Sequence, residues 1–95
     1  MRIVWTRHYP IELASIGDYI NQHNPRAAAR IVNDIHPKTA RLLSANPFIG
    51  RVGEIKGARE LVIPGTPYIV AYRVADTQIE ILFVQHGARK WPDEV

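Results

Sequence analysis

Three strand-like runs of similar length, separated by two short turn signals, restrict this chain more than any other feature. They occupy Ala58 to Pro92, A-R-E-L-V-I-P-G-T-P-Y-I-V-A-Y-R-V-A-D-T-Q-I-E-I-L-F-V-Q-H-G-A-R-K-W-P. Arg59 to Ile63 reads as one strand, Tyr68 to Val74 as the next and Gln78 to Gln85 as the last, each rich in β-branched and aromatic residues. Pro64-Gly65-Thr66-Pro67 and Ala75-Asp76-Thr77 supply the turns. Such short connections force neighbouring strands to run antiparallel, so the stretch is an antiparallel meander. In its middle strand Tyr68, Val70, Tyr72 and Val74 share one face, and Ile69, Ala71 and Arg73 the other. The last strand is dense in Ile, Leu, Phe and Val and is expected to be central and buried.

A sheet with an apolar face needs a cover, and the preceding residues read as helical. Leu13, Ile16 and Ile20 recur at helical spacing after a start at Thr6 or His8, and the helix is expected to end near Gln22–Asn24. Asn24-Pro25 restarts the chain, with Asn as N-cap and Pro in the first turn. Ala28, Ile31, Val32, Ile35, Thr39, Leu42 and Leu43 then form a second stripe, which Asn46-Pro47 closes. The short link makes the two helices an antiparallel hairpin. Pro37 falls on the polar side of the second helix and either kinks it or divides it in two at His36–Pro37. Met1 to Thr6, with Ile3, Val4 and Trp5, is a brief edge strand. Residues 48–57 read as a glycine-punctuated loop, with Phe48 and Ile49 tucked under the hairpin. The fold class is α+β: N-terminal strand, antiparallel helical hairpin, then a three-stranded antiparallel meander whose second face is partly exposed. Its 95 residues suit one domain, 1–95, with a modest core.

Composition narrows the chemistry. The chain has no Cys, which removes disulfides, thiol nucleophiles and Cys-based zinc sites. His8, His23 and His36 lack zinc-ligand spacing, and Ser15 and Ser44 lack a base at motif spacing, so neither a metal nor a hydrolase triad is expected. The G-x-x-G spacing at 50–53 is no phosphate cradle, and no cofactor is expected. The opening M-R-I-V-W-T-R-H has no apolar signal core, and no run approaches the ~20 apolar residues a bilayer requires. A soluble cytoplasmic protein, with no membrane association, is the expectation. A formal net charge of +3 favours acidic partners.

Four segments in this order resemble the RelE/ParE toxin superfamily of type II toxin–antitoxin systems: N-P-R-A-A-A-R-I-V at 24–32, N-P-F-I-G-R at 46–51, R-E-L-V-I-P-G-T-P-Y-I-V-A-Y-R-V at 59–74, and I-E-I-L-F-V-Q-H-G-A-R-K-W-P at 79–92. The likeness covers nearly the whole chain and is to the ParE-type branch. It implies inhibition of DNA gyrase without chemistry by the toxin itself. It also implies neutralisation by a small ParD-like antitoxin whose C-terminal segment folds on binding, over the hairpin and the exposed sheet face. The alternative branch, RelE-type, cuts mRNA on the ribosome.

Cleavage through a 2′-OH needs a base, an acid and cations for the developing phosphorane charge. The candidates are Arg59, Arg73, His86 and Arg89, with Glu54 or Glu60, and the expectation is that Arg59, Arg73 and His86 converge near one sheet face. In some RNA-cutting relatives an Arg of the second strand and a His at the end of the last are catalytic, and Arg59 and His86 match these positions. Those relatives place a Tyr or Phe just past the His, where this chain has Gly87-Ala88, a departure that weighs against cleavage. As target-binding residues the candidates are Arg59, Arg73, His86, Arg89 and Trp91. The competing role for the arginines is ion pairing with Glu60, Glu80 or helix acids, and for His86 and Trp91 a structural one.

Overall fold

A computed structural model describes residues 1–89. The elements are β1 (Arg2–Trp5), α1 (His8–Asn21), α2 (Pro25–Ala45), β2 (Arg51–Val52), β3 (Arg59–Val62), β4 (Tyr68–Val74) and β5 (Gln78–His86). The expected hairpin and meander are present. The sheet is larger than the meander, with order β1-β5-β4-β3-β2. β1 pairs with β5 in parallel, Arg2 opposite Gln78 and Trp5 opposite Ile81. At the other edge, two residues of the expected loop form β2 against β3.

One face of the sheet carries the main core. Tyr68, Val70 and Tyr72 of β4, Leu61 and Ile63, and Ile79, Ile81 and Val84 of β5 meet Tyr9 of α1 and Ile35 and Leu43 of α2. The residues from 79 and 81 to 84 change parity because of a bulge: Ala71 faces Phe83 while Tyr72 faces Ile81, leaving Leu82 extra. Leu82 and Phe83 therefore both turn to the second face. A bulge disrupts the local ladder, and here Thr6 compensates. Its Oγ1 donates to the carbonyls of Ile81 and Leu82, and its backbone N–H to Ile81 at 3.0 Å. Thr6 thus ends β1 rather than capping α1, whose N-cap, Arg7, makes no side-chain cap bond.

α2 runs unbroken from Pro25 to Ala45 through Pro37, so the divided alternative does not occur. Asn24 Oδ1 accepts the Ala27 N–H at 3.2 Å, as expected of the cap. Pro37 is exposed, and the next turn is tied both within the helix and to the sheet. Buried Thr39 donates its hydroxyl to Ile35 O at 2.7 Å, and Lys38 Nζ donates to Pro64 O at 2.9 Å in the β3–β4 turn.

The second sheet face is partly exposed, as expected, at Val62 and Arg73, but covered over its middle. Ile69, Ala71, Leu82, Phe83 and Gln85 are all buried there. Part of the cover is the segment after β2, whose Ile55 and Ala58 pack on Ala71, Leu82 and Phe83. That segment is held by Glu60, buried on the same face, which accepts from Arg51 Nε at 3.0 Å and from the Glu54 N–H at 3.1 Å. Phe48 and Ile49 are not tucked under the hairpin but exposed, because the chain turns outward after Asn46 to reach the sheet edge.

Candidate functional site

The three residues expected to converge are held apart. Arg59 and Arg73 lie on opposite faces, since β3 and β4 alternate side chains and Arg59 stands opposite Tyr72. Arg59 is on the helix side, where Nη1 donates to Gly50 O at 2.9 Å and the guanidinium sits 5.2 Å from the Phe48 ring centroid. The neighbouring Tyr72 hydroxyl accepts the Gly50 N–H at 2.8 Å. Burial raises the pKa of this phenol, against the opposing pull of the Gly50 N–H and the Arg59 charge. Arg59 therefore clamps the exit from α2.

Arg73 is on the second face, with Nε 2.9 Å from Glu80 Oε1. Gln78 Nε2 donates to the other carboxylate oxygen at 2.9 Å, and Gln78 Oε1 accepts from Arg2 at 3.0 Å. The Gln78 amide, and then Arg73, hold the Glu80 carboxyl below its ordinary range. Of the candidate acids, Glu60 is occupied with Arg51 and Glu54 as described, and Glu54 contributes its backbone N–H to that contact.

His86 is on the helix side but at the far end of β4 from Arg59. It faces Tyr68, four residues from Tyr72 along the strand, or about 13 Å at the usual rise. A tight turn follows it: the Arg89 N–H donates to His86 O at 3.0 Å, and the Ala88 N–H to His86 Nδ1 at 3.0 Å. The neutral ring consequently carries its proton on Nε2. Gly87 suits this turn, since a Cβ there would press on Ile69 Cδ1 at 3.1 Å. Trp91 lies outside the described residues.

The turn brings His86 and Arg89 to one rim of a trough of about 390 Å³ between α1 and the end of β5. Ile16, Tyr68 and Val84 contribute apolar lining, and Glu12, Ser15 and Tyr19 complete the α1 side. The His86 ring meets Tyr68 edge-on at 5.5 Å. Burial raises the Glu12 carboxyl, opposed by the charges of Arg89 and His8, and Tyr68 is raised by burial and then by Tyr19. Sequence reading did not place Glu12, Ser15 or Tyr19 in a site. Their spacing at 12, 15, 16 and 19 is a helical stripe beside the core stripe, but nothing local indicates what faces it.

A second groove, about 500 Å³ and almost wholly apolar, runs past Trp5, Tyr9, Leu13 and Val32 to His36. The Trp5 ring is 4.1 Å from His36, whose Nδ1 is 3.1 Å from the Tyr9 hydroxyl. Burial pushes that phenol up to about 12. Among the described residues no three His, Asp or Glu side chains are grouped to hold a metal, and no helix is long and apolar enough to cross a membrane.

A strand, a helical hairpin and a meander closed by a parallel first strand define the RelE/ParE-like toxin architecture. The solved structure "Chromosomal ParDE TA system from P. aeruginosa" matches it with a TM-score of 0.80 and 30% identity, over 90% of this chain and 95% of that one. The family model for the "ParE toxin of type II toxin-antitoxin system, parDE" matches residues 3–91, and the chain belongs to that family. Similar proteins are the "Putative toxin Y4kP" of Sinorhizobium fredii, 43% identical over 96% of this chain and 93% of that protein, and the "Toxin RelE2" of Caulobacter vibrioides, 36% identical over 93% and 97%. It is a toxin of a type II toxin–antitoxin system.

Proposed function

We propose that this toxin inhibits DNA gyrase in the cytoplasm by recognition rather than by chemistry, and that a ParD-like antitoxin neutralises it. ParE-family membership over residues 3–91 carries the target assignment. The separation of Arg59, Arg73 and His86 supports the non-enzymatic part. Two of the cations are engaged, on Gly50 O and Glu80, and the third candidate faces a different end of the sheet. A phosphorane would need them around one phosphate. The antitoxin partner fits the solved ParDE neighbour and the exposed apolar groove beside Trp5 and His36. An acidic or amphipathic segment suits a chain of net charge +3.

A supercoiling assay with the purified toxin tests the target. Gyrase activity falls with toxin concentration, and His86→Ala lowers the effect only modestly. Site-specific cleavage of translated mRNA, abolished by His86→Ala, would instead establish the RelE-type alternative. That second reading is favoured by the 36% likeness to a protein called Toxin RelE2.

A further inference from the structure

The apolar groove is built by three elements that meet at one imidazole. β1 contributes Trp5, α1 contributes Tyr9, Leu13 and Ala14, and α2 contributes Val32 and His36. His36 is exposed, yet two of its sides are taken. Its ring lies 4.1 Å from that of Trp5, and its Nδ1 is 3.1 Å from the hydroxyl of Tyr9, a residue only 2% exposed. Among the described residues no Asp, Glu, Lys or Arg lines the groove. The ion pair on the same helix, Asp34 with Lys38, is tied instead to the β3–β4 turn through Lys38 Nζ and Pro64 O. His36 and Tyr9 are thus the titratable groups that face the groove, and the Tyr9 phenol, pushed up to about 12, stays neutral.

The two charge states of His36 are not equivalent here. A neutral imidazole can accept at Nδ1 from the Tyr9 hydroxyl, whereas an imidazolium can only donate there, so the buried hydroxyl must turn its proton away. The Trp5 face favours the imidazolium, but only while water also reaches the charge. An apolar segment laid in the groove removes that water, and desolvation then favours the neutral ring. No carboxylate of the groove offsets the cost. We infer that His36 is a proton-operated gate on this groove: the neutral ring admits the apolar face of an antitoxin segment, and protonation weakens the capture as pH falls. The inference rests on the reading that an antitoxin neutralises this toxin through the groove. It adds a way for acidification to free the toxin.

The test is fluorescence anisotropy of the cognate antitoxin, labelled at its N-terminus and titrated with the full toxin at pH 8.0 and pH 5.5. Wild type should bind about tenfold more weakly at pH 5.5, because only the fraction with a neutral ring is competent. His36→Phe should bind within about twofold at the two pH values, and His36→Lys should be weak at both. His36 is exposed, so these variants leave the core intact. Ala14→Arg, at an exposed position that lines the groove, should lose binding at both. Equal wild-type affinity at the two pH values, tighter binding at pH 5.5, or a pH dependence retained in His36→Phe would overturn the gate. If Ala14→Arg still loses binding in that case, the groove reading stands and the gate alone falls. If Ala14→Arg binds as wild type, the groove reading falls and takes the gate with it.

Discussion

Arg59 and Arg73 show how little a residue's type says about its use. Both are cations of the meander, yet one closes a loop and the other lies in a surface ladder. Arg59→Ala loses a charged hydrogen bond to Gly50 O and the contact with Phe48, so it should destabilise the fold by about 1–3 kcal/mol in a denaturant titration. Arg73→Ala, in an exposed pair, should change stability by less than about 1 kcal/mol. Equal losses for the two would contradict these roles. Glu12 offers a pH signature. Its folded pKa is raised above the ordinary 4.5, so the native state holds the proton more tightly. That contribution is full below about 4.5 and is lost as pH rises through the folded value. Glu12→Gln should therefore gain stability relative to wild type on going from pH 4 towards neutrality. A constant difference across that range would show that Glu12 is not desolvated in the trough.

At the scale of elements, the three meander strands, both helices and the Asn24-Pro25 cap were legible because each is written locally: period two, period 3.6, and turn residues between them. What was not legible depends on distant partners. The parallel β1–β5 pairing follows from Thr6 meeting the bulge at Leu82, 76 residues away in sequence. β2 exists because Glu60 reaches across to Arg51 and Glu54, which no spacing announces. The trough was missed for the same reason, since Tyr19 and His86 share it only through the docking of α1 on β5. Gly53 tests the second of these devices: a Cβ there would collide with the Glu60 carboxylate. Gly53→Ala should cost roughly 1–3 kcal/mol, with Glu60→Gln less damaging, as read by thermal unfolding. An unchanged melting temperature for Gly53→Ala would mean that the Glu60 clamp does not hold the segment. Thr6→Val removes the hydroxyl at the bulge and should cost about 1–2 kcal/mol in the same measurement.

Across the whole molecule, three surfaces with different chemistry lie apart on the helix side of one sheet: the loop clamp around Arg59, the apolar groove at Trp5 and His36, and the trough at His86 and Arg89. Such a division suits a protein that engages large partners at several places more than one that gathers reacting groups at a point. Truncation after Gly87 removes Arg89 and the basic tail, and should reduce toxicity in cells more than Arg73→Ala does; undiminished toxicity would deny the tail a part in target choice. The most direct measurement is gyrase supercoiling with purified toxin, wild type beside Arg73→Ala and His86→Ala, followed by primer extension on translated mRNA. Supercoiling should be inhibited by wild type and Arg73→Ala alike, modestly less by His86→Ala, with transcripts intact. Unimpaired supercoiling together with transcript cleavage that disappears in His86→Ala would contradict a non-enzymatic gyrase inhibitor.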